Sequence, residues 1–75
     1  MRSYNSNNLK LFGNNVRKQR QRLGISQEEL ADMADLHRTY IGGIERGERN
    51  IGFLNLVKLV RALGIEPSEL LRDLK

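Results

Sequence analysis

From Leu9 onward, apolar side chains recur at intervals of three and four residues, the period of a helix with one buried face. Leu9, Phe12, Val16 and Leu23 fall on one stripe, which predicts a first helix ending near Leu23 and Gly24. Arg20 shares that stripe, and a guanidinium on a buried face requires a partner. Beyond the glycine, Ser26, Gln27, Glu28 and Glu29 form a capping box. The serine hydroxyl can accept from the Glu29 amide while the Glu29 carboxylate accepts from the serine amide. The second helix that starts there is short, with Leu30, Met33 and Ala34 as its apolar face. The pattern resumes out of phase at Leu36, and Asp35 stands at the break, where aspartate tolerates left-handed backbone better than most residues.

A third helix is predicted from about Arg38 to Glu45 or Arg46, burying Ile41 and Ile44 and stopping before Gly47. It contains an oddity: Gly42 and Gly43 sit together in its middle, although each glycine costs about 1 kcal/mol relative to alanine in a helix. The polar loop ERGERNIG follows. A fourth helix begins near Phe53 with Gly52 as its cap, turns Leu56, Leu59, Val60 and Leu63 inward, and ends at Gly64. Its other flank shows Leu54 and Val57, more apolar surface than one core-facing stripe needs. Pro67 in a first-turn position, followed by Ser68 and Glu69, starts a fifth short helix with Leu70, Leu71 and Leu74. No strand pattern or internal repeat competes. Residues 1–8 are polar and asparagine-rich, so a flexible arm is expected there, ahead of a single all-α, five-helix domain over residues 9–75.

Composition narrows the chemistry. A chain of 75 residues is one small domain whose core alone is marginally stabilising, so self-association is expected to contribute. With no cysteine there are no disulfides, thiolate zinc sites or cysteine nucleophiles, and the lone His37 cannot build a metal cluster. Neither a metal nor a cofactor is expected. No apolar run approaches the roughly 20 residues of a membrane span, and the polar start differs from a signal peptide, so a cytoplasmic protein is expected. The formal charge of +4 is unevenly spread. Lys10, Arg17, Lys18, Arg20 and Arg22 crowd the first helix without an acid, whereas Glu28, Glu29, Asp32 and Asp35 crowd the second without a base. A polyanion would meet selected surfaces; from charge alone, a solvated basic helix fits equally well.

Two short helices joined by a tight turn, the second polar on its outer face, make a helix-turn-helix, which can set its second helix in a DNA major groove. In the run from Gln27 to Glu45, Leu30, Ala31, Ala34, Leu36, Ile41 and Ile44 occupy the positions that need apolar or small residues, with Ala31 allowing a close crossing. The segment SQEELADMADLHRTYIGGIERGERN resembles the helix-turn-helix of the phage repressor and Cro family, also called the XRE family. Within it, DLHRTYIGGIERGERNI resembles the small controller proteins of restriction-modification systems, which regulate their own promoter and that of the endonuclease. The resemblance spans residues 9–74 and departs at Asp35, where the wider family often has glycine.

That resemblance implies a lambda-repressor-like five-helix fold in a bacterial or phage protein at the nucleoid, acting as a homodimer on double-stranded operators with two inverted half-sites. Two dimers cooperating on one operator, and contact with RNA polymerase, are compatible with it. Leu54, Val57, Leu70, Leu71 and Leu74 are the candidates for the dimer surface; Leu70 and Leu74 could equally close the monomer core. With Ile41 and Ile44 inward, Arg38, Thr39, Gly42, Gly43 and Arg46 face outward at 100° per residue. Arg38 can fork to guanine O6 and N7 and Thr39 can offer a hydroxyl or methyl, while Gly42 and Gly43 would let bare backbone approach the bases. A phosphate contact or a solvated charge is the alternative for Arg38. Expected phosphate contacts are Ser26 and Gln27 at a helix N-terminus, His37 (alternatively a cap), the Tyr40 hydroxyl, Arg46, Arg49 and Asn50, with Arg17 the weakest. By resemblance, Arg20 and Glu45 form an ion pair tying the first helix to the reading helix. No arrangement of histidine, cysteine or glycine loop gives the acids a catalytic task, so no enzyme is expected. An antitoxin or phage-type repressor working through a protein partner is the rival reading, and it has little chain left for a partner-binding segment.

Overall fold

The computed structural model describes residues 4–75, with side chains from residue 7 onward. It holds helices α1 (Tyr4–Arg22), α2 (Gln27–Ala34), α3 (Arg38–Glu45), α4 (Phe53–Leu63) and α5 (Pro67–Leu70). The core is one cluster to which every helix contributes: Phe12 and Val16 from α1, Leu30, Ala31 and Ala34 from α2, Ile41 and Ile44 from α3, Leu59 and Leu63 from α4, and Leu70 from α5. The helical period therefore identified the buried faces of α3 and α4, with Leu56 and Val60 packed at the rim.

Local signals at the helix ends act as their chemistry dictates. The Ser26 hydroxyl accepts from the Glu29 amide at 3.0 Å, and the Ser26 amide donates to Glu29 Oε1 at 2.8 Å. α2 closes at Asp35, which is left-handed at φ 57°, and the Leu36 amide returns to the Ala31 carbonyl at 2.9 Å. Lys58 of α4 braces this turn by donating to the Asp35 carbonyl at 3.4 Å. Gly52 caps α4 and Pro67 opens α5, as expected.

The structure departs from the pattern in several places. α1 starts at Tyr4, so the last five residues of the expected arm are helical, while residues 1–3 lie outside the described residues. Once a helix is nucleated each added residue gains a hydrogen bond, which outweighs the small propensity deficit of asparagine and serine. Leu23 is 42% exposed because α1 ends before it, and Met33 is 53% exposed because the buried face of α2, turned to α3 and α4, is made by Leu30, Ala31 and Ala34. Of the two readings open for Leu70 and Leu74, the core-closing one holds and the dimer-surface one does not, since Leu70 is fully buried and Leu74 packs against the core. Asn15 of α1 draws the end of the chain in, its amide donating to the Leu70 carbonyl at 3.0 Å and the Arg72 carbonyl at 2.9 Å.

Two features lock α3 in place. At Gly13 the backbone of α1 lies directly on the end of α3: an added Cβ would collide with the Ile44 carbonyl oxygen and lie 2.8 Å from that of Glu45. At Gly47, φ is +77° and a Cβ would lie 2.9 Å from Lys10 Cα, so neither conformation nor space admits a side chain. The second feature is ionic. Arg20 and Glu45 form the expected pair, bidentate at 2.7 Å and 3.0 Å, with the Glu45 side chain 2% exposed. Gln27 donates to Glu45 Oε1 at 2.9 Å and Arg20 also donates to the Ile25 carbonyl at 2.9 Å. The hydrogen bond to Glu45 raises the Arg20 pKa against the opposing effect of burial, and the Glu45 charge adds to it, so the guanidinium stays charged.

Gly13→Ala is expected to destabilise the domain by about 1–3 kcal/mol in urea denaturation, because overpacking two helix backbones outweighs the helix propensity gained. Glu45→Ala, which strands Arg20 and Gln27, should cost about 3–5 kcal/mol, whereas Arg20→Met with Glu45→Leu should recover most of it. If both ionic variants unfold at the same urea concentration, pairing is not what holds α3.

Candidate nucleic-acid interface

The outer face of α3 is set by its inner one. With Ile41 and Ile44 in the core and Glu45 clamped, Arg38 and Thr39 project from the first turn and are exposed. They are brought together with the start of α2, since Ser26, Gln27, Glu28, Arg38, Thr39, Gly42 and Arg46 line one open hollow between the two helices. The α2 N-terminus points free amides at this side, which favours anions. The Arg38 guanidinium lies 3.3 Å from Glu28, and both side chains are about two-thirds exposed (69% and 65%). Such an exposed pair is worth about 0–1 kcal/mol, so it leaves Arg38 open to other partners. Arg46 is similarly paired with Glu48 at 3.1 Å.

Several expected roles change in detail. Gln27 is half-buried and spends one amide hydrogen on Glu45, leaving the other for an anion. His37 occupies the N-cap position of α3 but its side chain makes no capping hydrogen bond, so it stays exposed on the turn. Tyr40 is partly buried against the core, and its hydroxyl accepts from Asn55 of α4 at 3.2 Å, leaving its own hydrogen to donate outward. Asn50 is exposed in the loop, and Arg17 is exposed on α1 outside the hollow.

Gly42 and Gly43 correct the expectation of bare backbone. Both are buried. A Cβ on Gly42 would lie 3.1 Å from Arg46 Nη1 and 3.4 Å from Gln27 Oε1; one on Gly43 would lie 2.9 Å from Arg49 Cγ. The missing side chains leave slots, and the long side chains of neighbours fill them. Arg49 continues from its slot to the ring of Tyr40, with its guanidinium carbon 5.5 Å from the centroid. Periodicity gave no sign of this, because it reports which face a residue occupies and not which remote side chain covers it.

Outside this face, among the described residues, the large exposed apolar side chains are Leu23, Met33, Phe53, Leu54 and Leu71, of which Phe53 (75%) and Leu54 (73%) are the most open and adjacent in the first turn of α4. Val57, one turn on, is half-buried, and Leu71 is 43% exposed. Phe53 belongs with the dimer candidates, and its adjacency to Leu54 is the signal that could have placed it there. No helix among the described residues is long and apolar enough to cross a membrane.

Known proteins share both this sequence and this geometry. A helix-turn-helix family model matches residues 16–70. The control protein C.BamHI of Bacillus amyloliquefaciens is 50% identical over 68 residues, covering 88% of this chain and 84% of that protein. C.MunI of a Mycoplasma species is 44% identical over 71 residues, covering 92% and 96%. Among solved structures, the restriction-modification controller protein C.AhdI of Aeromonas hydrophila superposes with a TM-score of 0.81 at 50% identity, covering 83% of this chain and 94% of that one. The chain belongs to the helix-turn-helix family, among the control proteins of restriction-modification systems.

Proposed function

We propose that this protein controls transcription in a restriction-modification system, as a homodimer that reads inverted half-sites with α3. The observation that carries the reading is the first turn of α3. A guanidinium and a hydroxyl stand exposed there, on a helix fixed from behind by a buried ion pair and flanked by the α2 N-terminus and the arginines of the following loop. In this arrangement Arg38 and Thr39 read base edges, with guanine the natural partner of the arginine fork. Ser26, the free Gln27 hydrogen, His37, the Tyr40 hydroxyl, Arg46, Arg49 and Asn50 contact phosphate, which sets register and supplies the salt-dependent affinity. No step in this reading is catalytic.

A second copy covers Phe53 and Leu54. These two side chains expose most of their surface although the monomer core is complete without them, which is the signature of an association patch. Val57 and Leu71 border it in this reading. A two-fold pairing sets the reading helices about 34 Å apart, one turn of DNA. Cooperation between two dimers and contact with RNA polymerase are the routes by which the protein would tie promoter output to its own concentration, and the operator position decides between activation and repression.

Arg38→Ala should cost about 1–3 kcal/mol on the operator and little on unrelated duplex, measured by fluorescence anisotropy at fixed salt. Equal losses on both DNAs would remove base reading from Arg38. Leu54→Lys should leave the helical circular dichroism intact while shifting sedimentation from dimer to monomer; an unchanged dimer would place the interface elsewhere.

A further inference from the structure

The glycine pair in α3 has a use that exposure alone does not reveal. The loop after α3 folds back onto the helix: the Glu48 amide donates to the Gly43 carbonyl at 2.9 Å and the Gly47 amide to the Ile44 carbonyl at 3.0 Å. Left-handed backbone at Gly47 makes that reversal. The next residue but one, Arg49, is thereby delivered over Gly43, where its Cγ, Nε and Cδ lie 2.9, 3.2 and 3.6 Å from the position a Cβ would take. Its guanidinium then reaches Tyr40, three residues back along the same helix ridge, while Asn55 holds the Tyr40 hydroxyl from the other side.

We infer that Gly43 is a positioning residue for DNA binding: it is a slot that seats the Arg49 side chain across the reading helix, with Tyr40 as the backstop for its guanidinium. The inference rests on the DNA-reading role proposed above. An exposed arginine in a glycine-containing loop would ordinarily sample many rotamers and lose that freedom on binding phosphate. Seated in the slot, Arg49 acts as part of α3 and presents its charge beside Thr39. The two glycines differ in kind. At Gly42 the nearest atoms are the ends of flexible side chains, Arg46 Nη1 and Gln27 Oε1, which can yield by tenths of an ångström. At Gly43 the obstacle is the stem of Arg49 rather than its tip, so a Cβ forces that stem out of its seat on the helix.

The test is a double-mutant cycle on the intact protein, with operator and unrelated duplex titrated across a salt series. Gly42→Ala serves as the stability and spectral control, and should raise the thermal midpoint by about 4–8 °C through helix propensity while leaving Arg49 seated. Gly43→Ala should weaken both duplexes by about tenfold per protomer, matching Arg49→Ala, and lower the salt slope by about one. In an Arg49→Ala background Gly43→Ala should add no further loss. A second readout needs no DNA: the Arg49 methylene protons should show an upfield ring-current shift from Tyr40 in the wild type and in Gly42→Ala, and lose it in Gly43→Ala. The inference is overturned if Gly43→Ala costs as much with Arg49 absent as with it present, or if the ring-current shift survives in Gly43→Ala. Failure of the wild type to bind any duplex would instead overturn the DNA-reading role, with the proton shifts still deciding whether the slot exists.

Discussion

The buried carboxylate of Glu45 is the constraint on which the rest of the structure depends. A lone anion in that position would cost several kcal/mol in desolvation, and it is stable only because Arg20 and Gln27 surround it with three donors. Those donors come from α1 and from the first residue of α2, so satisfying one acid fixes the end of α3 relative to both helices. Hydrophobic packing of Ile41 and Ile44 sets which face of α3 is inward, but apolar contact is non-directional and leaves the axial position soft. The fork geometry of the arginine removes that freedom. The outward position of Arg38, seven residues back along a straight helix, is thus decided at its far end.

Glycine serves this fold in two opposite ways. At Gly13 and Gly47 the absent side chain lets one backbone lie against another, and the space is taken by main-chain atoms, joined at Gly47 by the first part of the Lys10 side chain. At Gly42 and Gly43 the space is filled by side chains that could leave. The first kind is an architectural necessity with large penalties for any substitution; the second trades helix stability for the placement of movable charge. Both kinds lie within or beside apolar periodic segments, where sequence composition alone shows only a helix weakened by about 1 kcal/mol at each position.

Much of the helix order was legible in the sequence because its signals are local. The Ser26 capping box, the left-handed Asp35 and Pro67 at its helix start each depend on a few neighbouring residues, and all appear as read. The inward faces of α3 and α4 followed from period alone. Pairing Arg20 with Glu45 needed the family resemblance, since nothing in the spacing of residues 20 and 45 announces a contact. What escaped were facts of three-dimensional neighbourhood: the exposed Leu23 and Met33, the backbone contact at Gly13, and the fold-back of Arg49, while the two readings of Leu70 stayed open until its burial decided between them. Leu70 and Leu71 are indistinguishable as letters in a pattern, and only the grip of Asn15 on the chain decides which one enters the core.

That grip also bears on how the molecule assembles. α5 is a single turn of four residues, too short to persist alone, and its anchor on α1 spans 55 positions of sequence. The α2–α3 pair, by contrast, is joined by a turn of three residues and can form with little loss of chain entropy. Closure of the long loop becomes favourable once α1 is seated against α3, and Leu70 then drops into a core that is otherwise complete. The helicity of the last turn is therefore expected to report finished folding, with α5 docking on α1 last and leaving it first on unfolding.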